Sequence, residues 1–434
     1  MSSIKEIKKA RLKKLENIRK AGINPYPSKA NRTHTCQETI DGFEKLAEEK
    51  NELVLVGRLR TVRGHGGSTF SDIEDGFGRL QVYFKRDELG EKKYKFFQDN
   101  FDVGDFIEVK GTLFLTKKKE KTLLVQDYRI LSKGLVPLPE KWHGLKDVEE
   151  RFRKRYLDLI MNKDVRDKFL ARSRIIKTIR DFLEKNGFIE VETPILQMIP
   201  GGALARPFKT HLNALNLDLY LRIAPELYLK RLLIGGFEKV YEIGRCFRNE
   251  GLDVTHNPDF TMLEFYWAYA DYEDLMKLTE EMFEMFDFKR PFKRIEFLEL
   301  GKNDEEVKEK IKEINNPTFI INHPTEISPL AKQIDNDSKK VARFQLVAGG
   351  LELVNAFSEL NDPLEQDKRF KEQEKVREKG DEEAQRYDKD FIEALEYGMP
   401  PAAGWGMGLD RLIALLTDSH SLREAILFPL MKPK

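Results

Sequence analysis

The chain has 434 residues, 40% of them hydrophobic, enough to bury the cores of two or more domains. Its 75 basic and 74 acidic residues nearly cancel, which excludes a whole-protein cationic field and leaves any nucleic-acid surface to a local patch. Cys36 and Cys246 stand far apart without metal-ligand spacing, and no apolar stretch has signal-peptide or membrane length, so a disulfide framework, a zinc ribbon, export and membrane insertion are disfavoured and a reducing cytoplasm is expected.

Residues 4 to 21 read as a helix with Ile4, Ile7, Leu12, Leu15 and Ile18 on one face, basic residues elsewhere and Gly22 as the stop. A solvated amphipathic helix and a contact with a nucleic-acid backbone both fit it. From 53 to 131 the pattern changes to strand period. LVLVGRLRTVR, GRLQVYF, DFIEVKGTLFLTK and TLLVQDYRIL are β-rich runs broken by Gly or Asp turns, which predicts a small all-β barrel. Five-stranded barrels of the OB type bind single-stranded nucleic acid through basic side chains and exposed aromatics. Phe70 and Gln81 lie on neighbouring predicted strands, with Arg63 before them; taken alone, Phe70 reads more readily as core than as a base-stacking platform. Residues 132 to 150, with VPLPEKWHG inside, have the composition of a linker.

From Arg151 onward helices and strands mix. A helix over 174–186 precedes GFIEVETPIL, with Pro194 expected in the strand. Glu226 in RIAPELYLKR, Glu264 in MLEFYW and Glu359 in NAFSELND stand in strand-like or strand-end settings among apolar residues. Buried acids need partners. Internal arginines such as Arg222 or Arg245 would supply them, and so would a ligand carrying ammonium groups. Residues 241 to 267 read as strand, polar loop and strand, with Arg248, Glu250 and His256 in the loop. Arginine grips phosphate through a planar fork of donors, and a loop histidine reaches a second phosphate. Asn257-Pro258 fixes the turn and Phe260 offers an aromatic face to a base. An ordinary charged hairpin accounts for one or two of these residues, not for the set. NDEEVKEKIKEI is a charged helix with Val307, Ile311 and Ile314 at helical spacing. Residues 362–386 form another, capped by Asp362 with Pro363 at its first position, and are expected to be a solvated face. In GWGMGLDRLIALL, Arg411 follows a glycine-rich strand at the start of an apolar helix.

In this order, the 174–196 segment, FRNEG with HNPDFTMLEFY, and GWGMGLDRLIALL over 404–416 resemble motifs 1, 2 and 3 of the class II aminoacyl-tRNA synthetases, and the resemblance to their lysyl group covers nearly the whole chain. It implies an α+β protein: an N-terminal helix and OB-type anticodon barrel over 1–140, then a catalytic domain over 141–434 whose antiparallel sheet is flanked by helices, unlike a parallel doubly wound sheet. It implies a cytoplasmic homodimer, the dimer following from motif 1, that activates L-lysine with ATP and transfers it to the 3′ end of lysine tRNA. Lysine's carboxylate is already a nucleophile at neutral pH, so such a site needs positioning and positive charge rather than a general base.

The resemblance also assigns roles. Arg248 bridges the substrate carboxylate and the α-phosphate, Arg411 holds the far end of a bent ATP, His256 the terminal phosphates, and Glu250 and Phe260 clamp adenine beside Asn257. Glu359 and Tyr266 receive the ε-ammonium, Glu226 and Gly202 the α-amino group, Asn355 the carboxylate, and Phe357 lines the stem; Glu264 completes the lysine set. Arg63, Phe70 and Gln81 fall on the anticodon surface, because the family places an aromatic and a glutamine eleven residues apart to hold the middle base. Glu352 matches a magnesium ligand. At the second carboxylate position this chain has Gln345, and at a neighbouring basic position Leu351, so a more weakly bound magnesium is expected. The segment from Phe288 to Thr318 is also shorter than in most bacterial relatives. Ligation of aspartate or asparagine, a non-catalytic tRNA-binding paralogue and modification of a protein lysine are the competing functions. Three acids around a carboxylate side chain argue against aspartate, and the N-terminal barrel against the last.

Overall fold

The computed structural model describes residues 3–139, 145, 147–335, 337–381 and 383–433. They fall into two compact units, Met1–Gly144 and Leu145–Lys434.

The first unit begins with the helix Ile4–Lys20, started by a capping box in which Ser3 and Glu6 satisfy each other's backbone N–H groups. Its buried face differs from the expected stripe. Leu15 and Ile18 are buried, but Ile4 and Leu12 are exposed and Arg11 is buried in their place. Arg11 donates to the carbonyls of Val103, Gly134 and Val136, so a basic residue of this helix serves the unit's own backbone. Five strands, β1 (Leu53–His65), β2 (Ser68–Glu74), β3 (Arg79–Lys85), β4 (Phe106–Leu115) and β5 (Lys121–Ser132), close into a barrel in the order β1-β2-β3-β5-β4. Alternation decides what each strand presents. Thr69, Ser71 and Ile73 point inward and are buried, while Phe70 and Asp72 point out.

Phe70 is therefore half-buried on the outer face and not in the barrel core. Its ring stacks on Tyr83, 4.4 Å between centroids. It pairs in register with Arg63 on β1 and Tyr83 on β3, and Gln81 pairs with Asp72 one step along the same face. Part of the linker expected over 132–150, residues 140–144 and 146, lies outside the described residues, and the helix Val148–Arg153 already starts within it.

In the second unit β6 (Ile189–Glu190), β10 (Lys239–Phe247), β11 (Asp259–Ala268), β12 (Lys293–Glu296), β13 (Thr318–Ile321), β16 (Arg343–Ala348), β17 (Leu351–Ser358) and β18 (Ala402–Gly408) form one sheet, ordered β12-β13-β16-β17-β18-β11-β10-β6. A small sheet of β7 (Leu196–Gln197), β8 (Lys209–Leu212) and β9 (Leu217–Leu221) and a ribbon of β14 (Gln333–Ile334) and β15 (Asp337–Val341) sit outside it. The interior pairings are antiparallel, and only the two outermost are parallel. Helices cover one face. Leu263, Phe265, Trp405 and Met407 point into that core against Ile179, Met276, Phe283 and Leu412 from three helices. The alternate residues of the same strands, Glu264, Tyr266, Gly404 and Gly406, point the other way, into the candidate site.

Several local expectations change. The helix expected from 174 begins at Lys163, and Pro194 lies in irregular chain, because its missing N–H cannot join a ladder. Glu226 is the first residue of the helix Glu226–Ile234 and not in a strand setting. The helix capped by Asp362 ends at Glu378, and one side is core: Phe370 and Gln366 are fully buried. Leu351, at the position where a basic residue was expected, packs against the main core.

Candidate functional site

Two rows of residues in register build the floor of the site. Glu242, Glu264, Gly406, Asn355 and Gln345 form one row across β10, β11, β18, β17 and β16. Tyr266, Gly404, Phe357 and Arg343 form the next. The glycines keep the floor open. A side chain at Gly404 would overlap Oε1 of Glu359 and the Tyr266 ring, and one at Gly202 would overlap Glu226. Above them lies a cavity of about 330 Å³. It is lined by Gly202, Glu226, Arg248, Glu250, His256, Asn257, Phe260, Glu264, Tyr266, Glu352, Asn355, Phe357 and Arg411, so residues more than 200 positions apart converge on one volume.

At one end β10 delivers Arg248, whose backbone N–H donates to the Pro258 carbonyl and closes the loop. Its guanidinium lies 5.1 Å from the centre of the Phe260 ring, and its Nε is buried without a partner. Glu250 and His256 are exposed on the loop. Nδ1 of His256 is 2.9 Å from Asp253. Burial opposes ionisation of Asp253, but hydrogen bonds from His256 and Thr255 outweigh it and bring its pKa down to about 2. Asn257 donates to the Asp259 carbonyl. Arg411, on the helix Leu409–Leu416, donates to the backbone carbonyl of Glu352. Its neighbour Asp410 fixes that helix, accepting from the Thr261 N–H and pairing with Arg172.

At the other end three carboxylates are almost fully buried: Glu226, Glu264 and Glu359. Their partners are not the arginines expected. Arg222 pairs with Glu242, and Arg245 with Asp259. The cation is Lys230, one turn after Glu226 on the same helix and itself fully buried. Its Nζ is 2.6 Å from Oε1 of Glu226 and also contacts Oε2 of Glu359. The ELYLK spacing carries the signal for the first of these contacts, since residues four apart share a helix face. Nothing local in sequence points to the second. Among the described residues no cation is bonded to Glu264; it accepts from the Tyr266 hydroxyl, and burial first, then the Glu226 charge, push its pKa well up. Arg343 was also missed. It donates to Oδ1 of Asn355 and to Ser328, fixing Asn355 toward the cavity.

Gln345 lies in the first row but does not line the cavity. Its Oε1 is 3.0 Å from Nε2 of His323, so the oxygen expected to face a cation accepts from a ring N–H. Burial, then the Arg343 charge, holds His323 neutral with a pKa of about 3. Gln345→Glu is expected to lift that pKa well above its present value, because a new negative charge favours the imidazolium. Titrating His323 by NMR in both proteins checks this. An unchanged value would mean that the new carboxylate points into the cavity instead. No group of three or more His, Cys, Asp or Glu side chains suited to a metal occurs among the described residues.

Comparison with known proteins agrees with this arrangement. Residues 147–432 match the family model of tRNA synthetases class II (D, K and N), and residues 53–131 that of the OB-fold nucleic acid binding domain. A lysine–tRNA ligase of Carboxydothermus hydrogenoformans is 49% identical over 485 aligned positions, covering 99% of each chain. Those of Pelotomaculum thermopropionicum and Thermotoga maritima are 47% and 45% identical, with 99% of this chain covered and 96% and 97% of theirs. These alignments are longer than this chain, so the relatives carry residues that it lacks.

Proposed function

This chain belongs to the class II tRNA synthetases of the D, K and N group and is similar throughout to lysine–tRNA ligases, and from that membership we infer that it activates L-lysine with ATP and transfers it to lysine tRNA. The observation that carries the choice of lysine is the trio of buried carboxylates at one end of the cavity. Buried acids disfavour a substrate with an acidic side chain and stabilise one with two ammonium groups. Arg248, with one guanidinium donor free and an aromatic ring beneath, is suited to hold the reacting carboxylate against the α-phosphate, and Arg411 to hold the far phosphates. Glu250 and Phe260 would clamp adenine beside Asn257, with His256 at the terminal phosphates. Gly202 and Glu226 would take the α-amino group, Asn355 the carboxylate, Phe357 the stem, and Glu359 with Tyr266 the ε-ammonium.

Magnesium would be held by Glu352 together with the ATP phosphates, neutralising charge as pyrophosphate leaves. A single protein carboxylate fits that role, since magnesium keeps several waters and leans on phosphate oxygens. A screen of all twenty amino acids for ATP–pyrophosphate exchange tests the function. Lysine alone should support exchange, and its failure to do so while the protein still binds tRNA would favour the non-catalytic paralogue.

The barrel's outer face, with Phe70 on Tyr83 beside Arg63 and Gln81, supports anticodon reading. Phe70→Ala is expected to weaken tRNA charging by about 1–3 kcal/mol, the usual worth of one stacked base. Exchange without tRNA should not change, and an equal loss in both assays would return Phe70 to a packing role. A homodimer through the motif 1 segment is supported by its exposed apolar side chains: Ile189, Ile195 and Leu196 are each about half exposed. Among the described residues no helix is long and apolar enough to cross a membrane.

A further inference from the structure

We propose that Lys230 is a positioning residue for substrate recognition: a permanent internal ammonium that braces Glu226 and Glu359 and presents the second oxygen of each to the incoming lysine. The proposal rests on the reading of Glu226 and Glu359 as lysine ligands and deepens it.

The geometry is that of a bifurcated brace. Lys230 binds Oε1 of Glu226 and Oε2 of Glu359. The remaining oxygens lie beside glycines of the cavity floor: Oε2 of Glu226, which lines the cavity, against Gly202, and Oε1 of Glu359, which does not line it, against Gly404, buried and without a hydrogen-bond partner. Both glycines line the cavity. An unpartnered, buried carboxylate oxygen beside a cavity-lining glycine is an acceptor waiting for a donor. The brace itself cannot move far. Lys230 is fully buried on the helix Glu226–Ile234, and its ammonium lies 5.6 Å and 5.9 Å from the centres of the Phe357 and Phe391 rings.

Charge explains why a brace is needed. Around Lys230 the titratable and charged groups are Glu226 on its own helix, Glu359 beyond β17, Glu264 and Tyr266 from β11, and Arg343 from β16. Asp388, at the start of the neighbouring helix Lys389–Glu396, is paired with Arg231. Burial pushes the carboxyls of Glu226 and Glu359 upward, Glu359 to about 8, and Lys230 opposes the rise in both without cancelling it. Without that ammonium the two neighbouring carboxyls in a dry pocket would rise further and hold a shared proton more tightly, as like charges at close range do. The pocket would then offer a neutral carboxyl where an ammonium is to be recognised. Lys230 is the charge that opposes the burial driving both glutamates toward the neutral form before the substrate arrives.

The test uses Lys230→Met and Lys230→Gln in the full chain, assayed by lysine-dependent ATP–pyrophosphate exchange from pH 6.5 to 8.5. At pH 7 the KM for lysine is expected to rise at least tenfold, with kcat and the KM for ATP within about threefold of the unmodified enzyme. The defect should shrink as pH rises, because the shared proton is lost. A lysine KM that stays at the unmodified value overturns the proposal, and so does a loss in kcat and both KM values that is equal at every pH, the pattern of a general structural role. If neither variant folds, a crystal structure of the unmodified protein with lysine bound decides. Lys230 is expected to remain within hydrogen-bond distance of both carboxylates, and an ammonium that has swung out of the pair refutes the brace. Absence of lysine-dependent exchange in the unmodified protein would instead count against the underlying function.

Discussion

Glu359→Gln is expected to lower kcat/KM for lysine several hundredfold while leaving ATP binding intact. Glu359 is almost fully buried, with one oxygen on Lys230 and the other unpartnered against Gly404 of the cavity floor. Removing the charge partner of a desolvated ammonium costs about 3–5 kcal/mol, and each 1.4 kcal/mol is tenfold. The amide keeps the shape and one acceptor, so the loss reports charge rather than packing. It should not recover at alkaline pH, since a carboxamide cannot ionise, and this separates it from the Lys230 variants, whose defect should fade. Steady-state exchange with varied lysine, alongside direct binding of ATP, measures both quantities. An unchanged lysine kcat/KM would remove the basis for choosing lysine as the substrate.

Much of this arrangement was legible in the chain because strand alternation is strict. Met262, Glu264 and Tyr266 share a face by period alone, and the intervening Leu263 and Phe265 go to the core. The loop residues Arg248, Glu250, His256 and Phe260 were legible for a different reason: they are close in sequence, so the turn that joins two paired strands must bring them together. What stayed hidden depends on long-range placement. Lys230 shows its link to Glu226 through helical spacing, but its contact with Glu359 exists only because β17 ends beside that helix. Arg343 reads as a strand residue until the register sets it beside Phe357 and in reach of Asn355. The family resemblance alone puts Gln345 at a metal-ligand position; the partner that takes its oxygen, His323, comes from a separate segment with no pattern linking the two. Element ends erred for local reasons. The helix Lys163–Lys185 starts with a charged first turn that lacks apolar periodicity, and the helix Pro363–Glu378 hides a fully buried Phe370 among charges.

The second large effect is expected at Arg248. A lysine there would keep the positive charge and lose the fork, which is the property that the proposed chemistry uses, because one planar guanidinium can hold a carboxylate oxygen and a phosphate oxygen at once. The surroundings are arranged for that group. The Phe260 ring lies beneath the guanidinium, the backbone N–H is tied to the Pro258 carbonyl, and Nε is buried without a partner, so a donor is aimed and waiting. Loss of one preorganised donor at a developing charge typically lowers kcat about 10²–10³-fold. Arg248→Lys should therefore reduce the rate of lysyl-adenylate formation by about that factor in single-turnover measurements, with a smaller change in the affinity for ATP, since the grip on the far phosphates proposed for Arg411 is untouched. Arg248→Ala should fall further, since it removes the charge as well. If Arg248→Lys instead forms adenylate within tenfold of the unmodified rate, the guanidinium is binding phosphate as a simple point charge, and the alignment of carboxylate with α-phosphate must come from Asn355 and Arg343 on the neighbouring strands.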